Sequence, residues 1–247
     1  MRGVFYGMAL TPEQVEPRLR GSFGRPYVWQ PVCASTQELA RELPEGGVAA
    51  CDEQTAGRGR RGRSWLSPPR TGLLFSLALE PRTPPDRLAS FSLVAAEAIC
   101  VVCDPRAMVR WPNDVMIEGR KLAGVLPELR GGKLVLGVGL NANLAEHELP
   151  NTARVPPTSM AIERGRSVDR TQLLVDLLAE LELRYASFER DGFGGLVRDE
   201  LRGRTVVLVG GRRGLCEGVD EFGRLVVEGV AHSSAEVERV EVVTSRP

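Results

Sequence analysis

The chain has 247 residues, 32 arginines and lysines against 32 aspartates and glutamates, and a hydrophobic content of 43%. Its length suits one large domain or a main domain with a small one, and its composition is typical of globular rather than disordered proteins. A net charge of zero argues against a surface built throughout for nucleic acid. No apolar run approaches the ~20 residues of a membrane span, and no signal-peptide pattern opens the sequence, so we expect a cytoplasmic protein.

The five cysteines are scattered and odd in number, which is not the pattern of a disulfide framework and suits a reducing compartment. Cys100 and Cys103 match a Cys-x-x-Cys redox or half-zinc motif. However, they end an apolar segment that starts at Ser92, and no second pair of ligands stands at a suitable spacing. We therefore expect buried, unreactive thiols. His147 and His232 are isolated, and no protein-ligated metal site is predicted.

The first part of the chain is predicted to combine short strands with two helices and a loop. The strands are Tyr27–Cys33, Val48–Glu53, Gly72–Glu80, Met108–Trp111, Val115–Glu118, Ala123–Leu129 and Lys133–Asn141. A short helix follows Ser35, which is expected to cap it in a capping box with Glu38. The segment Arg87–Val102 predicts an apolar helix. Gly57–Arg70 has no periodicity and is rich in Gly, Arg and Pro, so it predicts a loop.

The second part begins with the strongest helical pattern, at Asp169–Arg190, where apolar residues recur every three or four positions. A shorter helix is predicted at Gly194–Leu201. Four short β-type runs separated by glycine-containing turns follow, at Thr205–Gly210, Arg213–Val219, Arg224–Val230 and Val237–Thr244. This meander predicts a small all-β barrel appended to an α/β domain. We place the domain boundary near residue 202, which divides the chain into 1–202 and 203–247.

An arginine- and glycine-rich loop runs from Gly57 to Trp65. It contains a literal Gly-x-Gly-x-x-Gly, but the last glycine, Gly62, leads into Arg-Ser-Trp-Leu-Ser-Pro-Pro, which cannot begin the helix that a dinucleotide site needs. Glycines let a backbone wrap closely around a ligand, and guanidinium groups bind carboxylate and phosphate. Considered alone, the loop leaves open a ligand-binding loop, a solvated basic loop and an RNA-binding segment.

Lys121 is one of only two lysines, with Lys133, in a chain whose other basic residues are arginines. Genome base composition is the simplest cause. Even so, a lysine in such a chain can mark a site that needs a compact, flexible ammonium group. Lys121 stands at a turn-to-strand junction after Trp-Pro-Asn-Asp, and Gly124 in the following strand indicates a close approach by backbone or ligand. We therefore favour a functional role for Lys121.

A second glycine pattern lies in the strand that ends at Asn141. Gly137 and Gly139 stand at i and i+2, so one face of this strand carries no side chains. Either the packing of the sheet requires this bare face, or a ligand lies on it.

The order and spacing of these segments closely resemble the biotin protein ligases. The matching segments are Ser35-Thr36-Gln37, Gln54 to Trp65, Trp111 to Asp114, Arg120 to Gly124 and Gly137 to Asn141. The resemblance covers Pro31–Asn143 and continues weakly through the long helix and the terminal β runs. The pairing of Gly-Arg-Gly-Arg-Arg-Gly with Arg-Lys-Leu-Ala-Gly is highly specific for this family. Ala34 and Gln37 depart from the acidic residue and the asparagine that members often carry.

The resemblance implies an α+β fold: a mixed β-sheet catalytic domain flanked by helices, similar to class II synthetases, with a small SH3-like C-terminal β-barrel. It implies formation of biotinyl-5′-AMP from biotin and ATP, with Mg²⁺ held mainly by the ATP phosphates. Biotin is then transferred to a lysine of a biotin carboxyl carrier protein or domain. The first ~25 residues are too few for a separate DNA-binding domain, so we expect a ligase without repressor activity.

Roles for individual residues also follow from the resemblance. Lys121 would bridge the biotin carboxylate and the α-phosphate, Arg60 would close over both substrates, and Asp114 would orient and deprotonate the acceptor lysine. The residues implied to bind biotin are Ser35, Thr36, Gln37, Gln54, Arg58, Gly59, Arg60 and Lys121. The residues implied to bind ATP are Arg58, Arg60, Arg63, Trp65, Asn113, Lys121 and Asn141.

Two alternatives stand beside this interpretation. Lipoate–protein ligases share the fold and the reaction type, but would carry an Arg-Arg-x-x-Gly-Gly-Gly segment that this chain lacks. An RNA-binding module would explain the arginine-rich loop, but it conflicts with the zero net charge and with an aromatic content of only 5%. We expect neither nucleic acid nor a membrane as a partner, and the resemblance also allows a homodimer.

Overall fold

The structure, a computed structural model, describes residues 9–150, 155–208, 211–237 and 240–243. Within these ranges the chain forms two β-sheets and several helices. The α-helices are α1 (Pro12–Val15), α2 (Thr36–Ala40), α3 (Phe91–Cys103), α4 (Met160–Arg164) and α5 (Arg170–Asp191). The strands of the larger sheet are β1 (Tyr27–Cys33), β2 (Val48–Gln54), β3 (Leu73–Leu79), β4 (Met108–Arg110), β5 (Asp114–Ile117), β6 (Arg120–Arg130) and β7 (Lys133–Leu140).

The larger sheet is mixed and has the strand order β1-β2-β3-β7-β6-β5-β4. The first two strands in this order, β1 and β2, run parallel to each other, and the remaining neighbours are antiparallel. Helix α3 packs on β4, β5 and β6, and α5 packs against α3. One face of the sheet is covered in this way. Helix α2 contacts β2, β3 and β7. The α+β fold with a mixed main sheet is therefore confirmed.

Strand β3 lies between β2 and β7 inside the sheet and is buried along its whole length. Leu73, Phe75 and Leu77 belong to the main hydrophobic core, whereas the alternating residues Leu74 and Ser76 face the side on which α2 lies. The helices α3 and α5 lie on one face of the sheet, and α2 with the arginine-rich loop lies on the other. Both faces of β3 are therefore covered. Each fully buried leucine contributes about 1.5–3 kcal/mol to folding, so this strand anchors both layers.

The long helix α5 confirms the predicted apolar stripe. Asp169 caps its first turn by accepting hydrogen bonds from the backbone N–H groups of Thr171 and Gln172, at 2.9 and 3.1 Å. The residues of the stripe are all buried: Leu173, Leu174, Leu177, Leu178, Leu181 and Tyr185. The helix ends at Gly192, whose φ of +77° is left-handed and favours glycine.

The predicted helix at Gly194–Leu201 is wrong. This segment is irregular and contains several bends, and Asp199 forms a parallel bridge with Val109 of β4. The Glu97 carboxylate of α3 accepts the backbone N–H groups of Val197 and Arg198, which would otherwise start a helical turn. Tertiary hydrogen bonds therefore replace the local ones that the sequence pattern suggested.

Two other helix starts differ from the prediction. Ser35 does cap α2, but its hydroxyl accepts from the N–H of Gln37 at 3.4 Å rather than forming a capping box with Glu38. The apolar helix predicted from Arg87 begins as an α-helix only at Phe91, because the preceding Pro85–Ser90 forms a 3-10 turn. The region after Pro84 is thus wound more tightly than the pattern indicated.

The smaller sheet is antiparallel, with the order β11-β10-β9-β8-β12. Its strands are β8 (Thr205–Leu208), β9 (Arg213–Val219), β10 (Leu225–Val227), β11 (Val230–His232) and β12 (Val240–Val242). The single predicted run Arg224–Val230 is wrong, since a turn at Glu228-Gly229, both with positive φ, divides it. Residues 209–210, 238–239 and 244 of the predicted runs lie outside the described residues. The domain boundary near residue 202 stays a prediction.

The two sheets are joined by specific contacts. The Trp111 indole N–H donates to the carbonyl of Gly223 at 2.9 Å, and both groups are buried. Arg110 on β4 makes two hydrogen bonds of 2.6 Å to Glu200, in the segment that leads into the smaller sheet. Such a bidentate arginine–carboxylate pair holds geometry well. The smaller sheet is therefore held at the end of the larger one where β4 and Trp111 lie.

All five cysteines are buried and free, as expected. Burial raises the pKa of the Cys100 thiol to about 12 and that of the Cys216 thiol to about 11, so both are protonated at neutral pH. Among the helices of the described residues, none combines the length and apolarity needed to span a bilayer.

Candidate active site

A cavity of about 1130 Å³ lies on the face of the larger sheet that points away from α3 and α5. The alternation along β7 defines this face, because Leu136 and Val138 enter the main core while Gly137 and Gly139 point to the cavity. Twelve of the thirteen residues predicted for the site line it: Ser35, Thr36, Gln37, Gln54, Arg58, Gly59, Arg60, Arg63, Trp65, Asn113, Asp114 and Lys121. The structure thus brings together residues that are up to 86 positions apart in the sequence.

Asn141 is the predicted residue that does not line the cavity. It is buried, and its side-chain amide donates to the carbonyl of Thr158 at 2.9 Å. Its backbone carbonyl accepts the N–H of Met160 at 2.9 Å, at the start of α4. In this structure Asn141 fastens the segment between β7 and α5 to the sheet.

The floor of the cavity is made of glycines. Gly124 of β6 and Gly139 of β7 are cross-strand partners, and the indole of Trp65 lies on them. A Cβ atom added at Gly139 would come within 2.4 Å of Cε2 of Trp65, and one at Gly124 within 3.2 Å of Cζ3. At Gly137, an added Cβ would come within 2.8 Å of the amide nitrogen of Gln37. The bare face of β7 is therefore a packing requirement, because side chains of this chain lie on it.

The polar corner at the start of α2 is formed by the ends of two strands. Cys33 and Gln54 are register partners at the carboxyl ends of the parallel strands β1 and β2, so the residues after them lie close together. The amide oxygen of Gln54 accepts from the Thr36 N–H at 2.8 Å and lies 3.2 Å from its hydroxyl. The same hydroxyl is 2.8 Å from that of Ser76 on β3. These contacts fix the orientation of both Thr36 and Gln54 at the cavity wall.

The arginine-rich loop is a folded hairpin rather than an irregular segment. Arg58 and Ser64 form an antiparallel bridge, and the N–H of Gly59 donates to the carbonyl of Arg63 at 2.7 Å. The 3-10 turn Arg60–Gly62 reverses the chain, with φ values of +57° at Arg61 and +72° at Gly62. The prediction of a loop is confirmed, and its compact form explains how several guanidinium groups reach one cavity.

The arginines of this hairpin have different surroundings. Arg58 lies between two carboxylates, Glu38 at 3.7 Å and Glu128 at 3.9 Å. Arg60 lies 3.5 Å from the amide oxygen of Asn113 and donates to the carbonyl of Ser234 at 2.9 Å, in the loop between β11 and β12. Burial lowers the pKa of Arg60 from its ordinary value, with the neighbouring arginines acting in the same direction. A buried guanidinium beside other guanidiniums favours a bound anion.

Lys121 and Asp114 form an ion pair inside the cavity. The Lys121 Nζ donates to Asp114 Oδ1 at 2.6 Å and lies 5.6 Å from the centroid of the Trp65 ring. A register shift between Val115 and Met116 pairs Lys121 with Met116, two residues beyond Asp114, so the two charged side chains share one face. Both side chains are partly buried, 28% and 23% exposed, which strengthens their attraction relative to a surface pair.

The two lysines of the chain serve different purposes. The Lys133 ammonium donates to the carbonyls of Arg41 and Leu43, at 3.2 and 2.8 Å, where the chain leaves α2. It therefore satisfies backbone acceptors at a helix end, a structural use of a compact cation. Lys121 alone of the two lies in the cavity.

Other lining residues were not found from the sequence. Arg106, Arg110, Glu118, Glu200 and Arg204 line the cavity, as does part of β12. No local motif marks these positions, and β12 reaches the site only because the smaller sheet packs on the larger one. Most of these charged residues are held in place by ion pairs such as Arg110–Glu200, whose members lie far apart in the chain. A single sequence does not show such pairs, so it carries no signal for these positions.

Four buried polar atoms of the lining residues have no hydrogen-bond partner among the residues that the structure describes. They are the amide oxygen of Gln37, Nε and Nη2 of Arg58 and the indole nitrogen of Trp65. Leaving such a group unpaired costs about 1–3 kcal/mol, so native structures keep few of them. Their position at the cavity wall makes this cavity the candidate functional site.

Known proteins are similar to this chain over most of its length. The family model of the biotin/lipoate A/B protein ligase family matches residues 29–144, which include every predicted site residue. The biotin–[acetyl-CoA-carboxylase] ligase of Paracoccus denitrificans is 34% identical over 221 residues, which cover 80% of this chain and 90% of that relative. The bifunctional ligase/repressor BirA of Bacillus subtilis is 31% identical over 229 residues, which cover 83% of this chain and 70% of that protein.

Solved structures show the same relationship. The biotin protein ligase from Aquifex aeolicus in complex with biotin and ATP has a TM-score of 0.70 and 28% sequence identity, over 88% of this chain and 95% of that one. The apo structure of the same ligase has a TM-score of 0.72 and 25% identity, over 87% and 98%. Given these matches, the chain belongs to the biotin/lipoate A/B protein ligase family and is a biotin protein ligase.

Proposed function

We propose that the cavity binds biotin and ATP, forms biotinyl-5′-AMP, and transfers biotin to one lysine of a biotin carboxyl carrier protein or domain. In the first step a carboxylate oxygen of biotin attacks the α-phosphorus, and the bond to pyrophosphate breaks. In the second step a neutral lysine amine attacks the acyl carbon, an amide forms and AMP leaves. The observation that supports this best is the convergence of Arg58, Arg60 and Lys121 on one cavity.

The positive charge has a clear purpose in the first step. A carboxylate and a phosphate at ~4 Å repel each other by roughly 4 kcal/mol at an effective dielectric of ~20, which is about a thousandfold in rate. A site must therefore supply cations at the point where the two anions meet, and must keep out the water that would hydrolyse the acyl-adenylate. We assign Lys121 to the meeting point, with Arg58 and Arg60 beside it.

The polar corner of the cavity suits the ring of biotin. Thr36 and Gln54 are oriented by their mutual hydrogen bonds, and Ser35 and Gln37 stand on the same short helix start. Fixed donors and acceptors of this kind select a ligand with fixed polar atoms. The indole of Trp65, which lies on the glycine floor, offers an apolar surface for the rest of the ligand.

The nucleotide is assigned to the part of the cavity that Arg63, Trp65 and Asn113 line. Nucleotide binding by Asn141 stays a prediction, and its side-chain amide donates to the carbonyl of Thr158. Mg²⁺ would be held mainly by the ATP phosphates, as is usual for this ion. The lining carboxylates support this, because Glu118 is paired with Arg106 and Glu200 with Arg110.

Asp114 is assigned to the second step, in which the attacking lysine must lose its proton. A carboxylate that already binds one ammonium group, that of Lys121, is suited to bind and orient a second.

The buried thiols agree with a reducing compartment, and we place the reaction in the cytoplasm. A homodimer and a domain boundary near residue 202 remain part of the proposal.

Exchange of pyrophosphate into ATP, measured with biotin, with lipoate and with neither, tests the first step. We expect exchange with biotin alone. Exchange driven by lipoate and not by biotin would contradict the assignment. Transfer is tested with a carrier domain and its target-lysine-to-arginine variant, and only the former should become biotinylated.

A further inference from the structure

Glu163 on α4 is a buried carboxylate that the proposed chemistry does not use. Its side chain is 2% exposed. One oxygen accepts the Thr158 hydroxyl at 2.6 Å and lies 2.8 Å from a guanidinium nitrogen of Arg120. The other oxygen lies 3.2 Å from Arg106. Removing this carboxylate would break the ion pair of Arg120 and take the acceptor from the Thr158 hydroxyl, whereas Arg106 would keep Asp104 and Glu118 as partners.

The partners of Glu163 surround the backbone of Lys121. Thr158 donates its N–H to the Lys121 carbonyl at 2.9 Å, and the Lys121 N–H donates to the Pro156 carbonyl at 2.7 Å. Through these two hydrogen bonds Pro157 forms a parallel bridge with Lys121 at the start of β6. Arg120, the second ion-pair partner, is the residue immediately before Lys121. The carboxylate thus holds both the neighbouring residue and the segment paired with Lys121.

We infer that Glu163 is a positioning residue for Lys121, which rests on the role proposed above for that lysine. The backbone of Lys121 sets where its side chain begins, and from that point the flexible chain places the ammonium at Asp114 and beside Trp65. A shift of about 1 Å in a catalytic group can cost on the order of a hundredfold in rate. Through Thr158 and Arg120, Glu163 keeps the Lys121 ammonium at Asp114 and against Trp65.

The test compares Glu163→Ala with a matched variant, Glu97→Ala. Glu97 is also a buried carboxylate, 7% exposed, paired with Arg184 and accepting backbone N–H groups, but it lies on α3, which packs on the face of the sheet away from the cavity. We expect Glu163→Ala to lower the kcat of biotin-dependent pyrophosphate exchange by about tenfold to a hundredfold, with KM for biotin changed by less than about threefold. Glu97→Ala, at a similar loss of thermal stability, should keep its kcat. An equal loss of kcat in both variants would overturn the inference.

A second measurement uses the fact that the chain has only two lysines. Both are acetylated with a water-soluble amine reagent, and the labelling rates of Lys121 and Lys133 are read by peptide mass spectrometry. In Glu163→Ala the ratio of Lys121 to Lys133 labelling should rise several-fold, since Lys121 leaves Asp114 while Lys133 is unaffected. A general loosening of the fold would raise both rates and keep the ratio, which would contradict a positioning role.

Lys121→Ala separates this inference from the proposed function. If Lys121→Ala keeps full exchange activity, the proposed role of the lysine fails. If Lys121→Ala loses activity while Glu163→Ala keeps both its kcat and the labelling ratio, the proposed function stands and the positioning role is wrong.

Discussion

The ammonium of Lys121 lies 2.6 Å from the carboxylate of Asp114, although the proposed reaction uses the two groups in different steps. Lys121 is assigned to the anions of the first step and Asp114 to the amine of the second. The ion pair therefore places the group proposed for the first step beside the group proposed for the second.

Replacing Lys121 by alanine removes the cation at the point where two anions meet. We expect biotin-dependent pyrophosphate exchange to fall by about a thousandfold. The thermal stability should change little, since a partly exposed ion pair contributes about 1 kcal/mol or less. Exchange kinetics and a melting curve measure the two effects. A variant with the full exchange rate would show that Lys121 is not the bridging cation.

Replacing Asp114 by asparagine keeps the shape of the side chain and removes its basic oxygen. We expect the transfer of biotin from supplied biotinyl-5′-AMP to a carrier domain to fall by about a hundredfold or more, because a general base contributes 10²–10⁴ in rate. Pyrophosphate exchange should fall much less, because the Lys121 cation remains. A loss of exchange equal to the loss of transfer would place Asp114 in the first step instead.

Replacing Arg60 by glycine removes the contacts of the hairpin with Asn113 and Ser234. We expect faster release of biotinyl-5′-AMP, because the loop no longer holds the charged intermediate. Release is measured by dilution of the enzyme loaded with labelled biotin and ATP.

Arg61→Gly is the matched control for this variant. Arg61 is exposed and contacts the carbonyls of Ser234 and Ala235, so it shares the tether to the smaller sheet. Unchanged release in Arg60→Gly would contradict the role of Arg60 as a clamp. Equally fast release in both variants would assign the effect to the tether alone.

Replacing Gly139 by alanine places a methyl group 2.4 Å from the Trp65 ring, which must then move. We expect a loss of about 1–3 kcal/mol in stability from overpacking, a change in tryptophan fluorescence that Trp65→Phe abolishes, and weaker biotin binding. Gly194→Ala is the control, because no atom of the residues that the structure describes lies within 4 Å of its added Cβ. Biotin binding that is unchanged in Gly139→Ala would show that the indole does not shape the site.

The prediction of strands was accurate where the signal is local. The larger sheet and α5 followed the predicted ranges closely, because apolar periodicity reflects burial directly. The prediction failed at Gly194–Leu201, where Glu97 from another helix takes the backbone N–H groups. It also failed at Glu228-Gly229, where a tight turn interrupts a β-rich run. Both errors lie where a distant or single-residue effect decides the backbone.

By itself the sequence determined the family, because its arginine-glycine loop and its Arg-Lys-Leu-Ala-Gly segment stand in the order and spacing of the biotin protein ligases, and that resemblance implied the chemistry of the site. Only the tertiary structure decided how the side chains of the site are used. It placed Trp65 on the glycine floor that a ligand could have occupied, turned Asn141 toward Thr158, and paired Lys121 with Asp114. The physical reason is that side-chain partners are set by which surfaces of the sheet and loops meet, and those surfaces come from residues far apart in the chain.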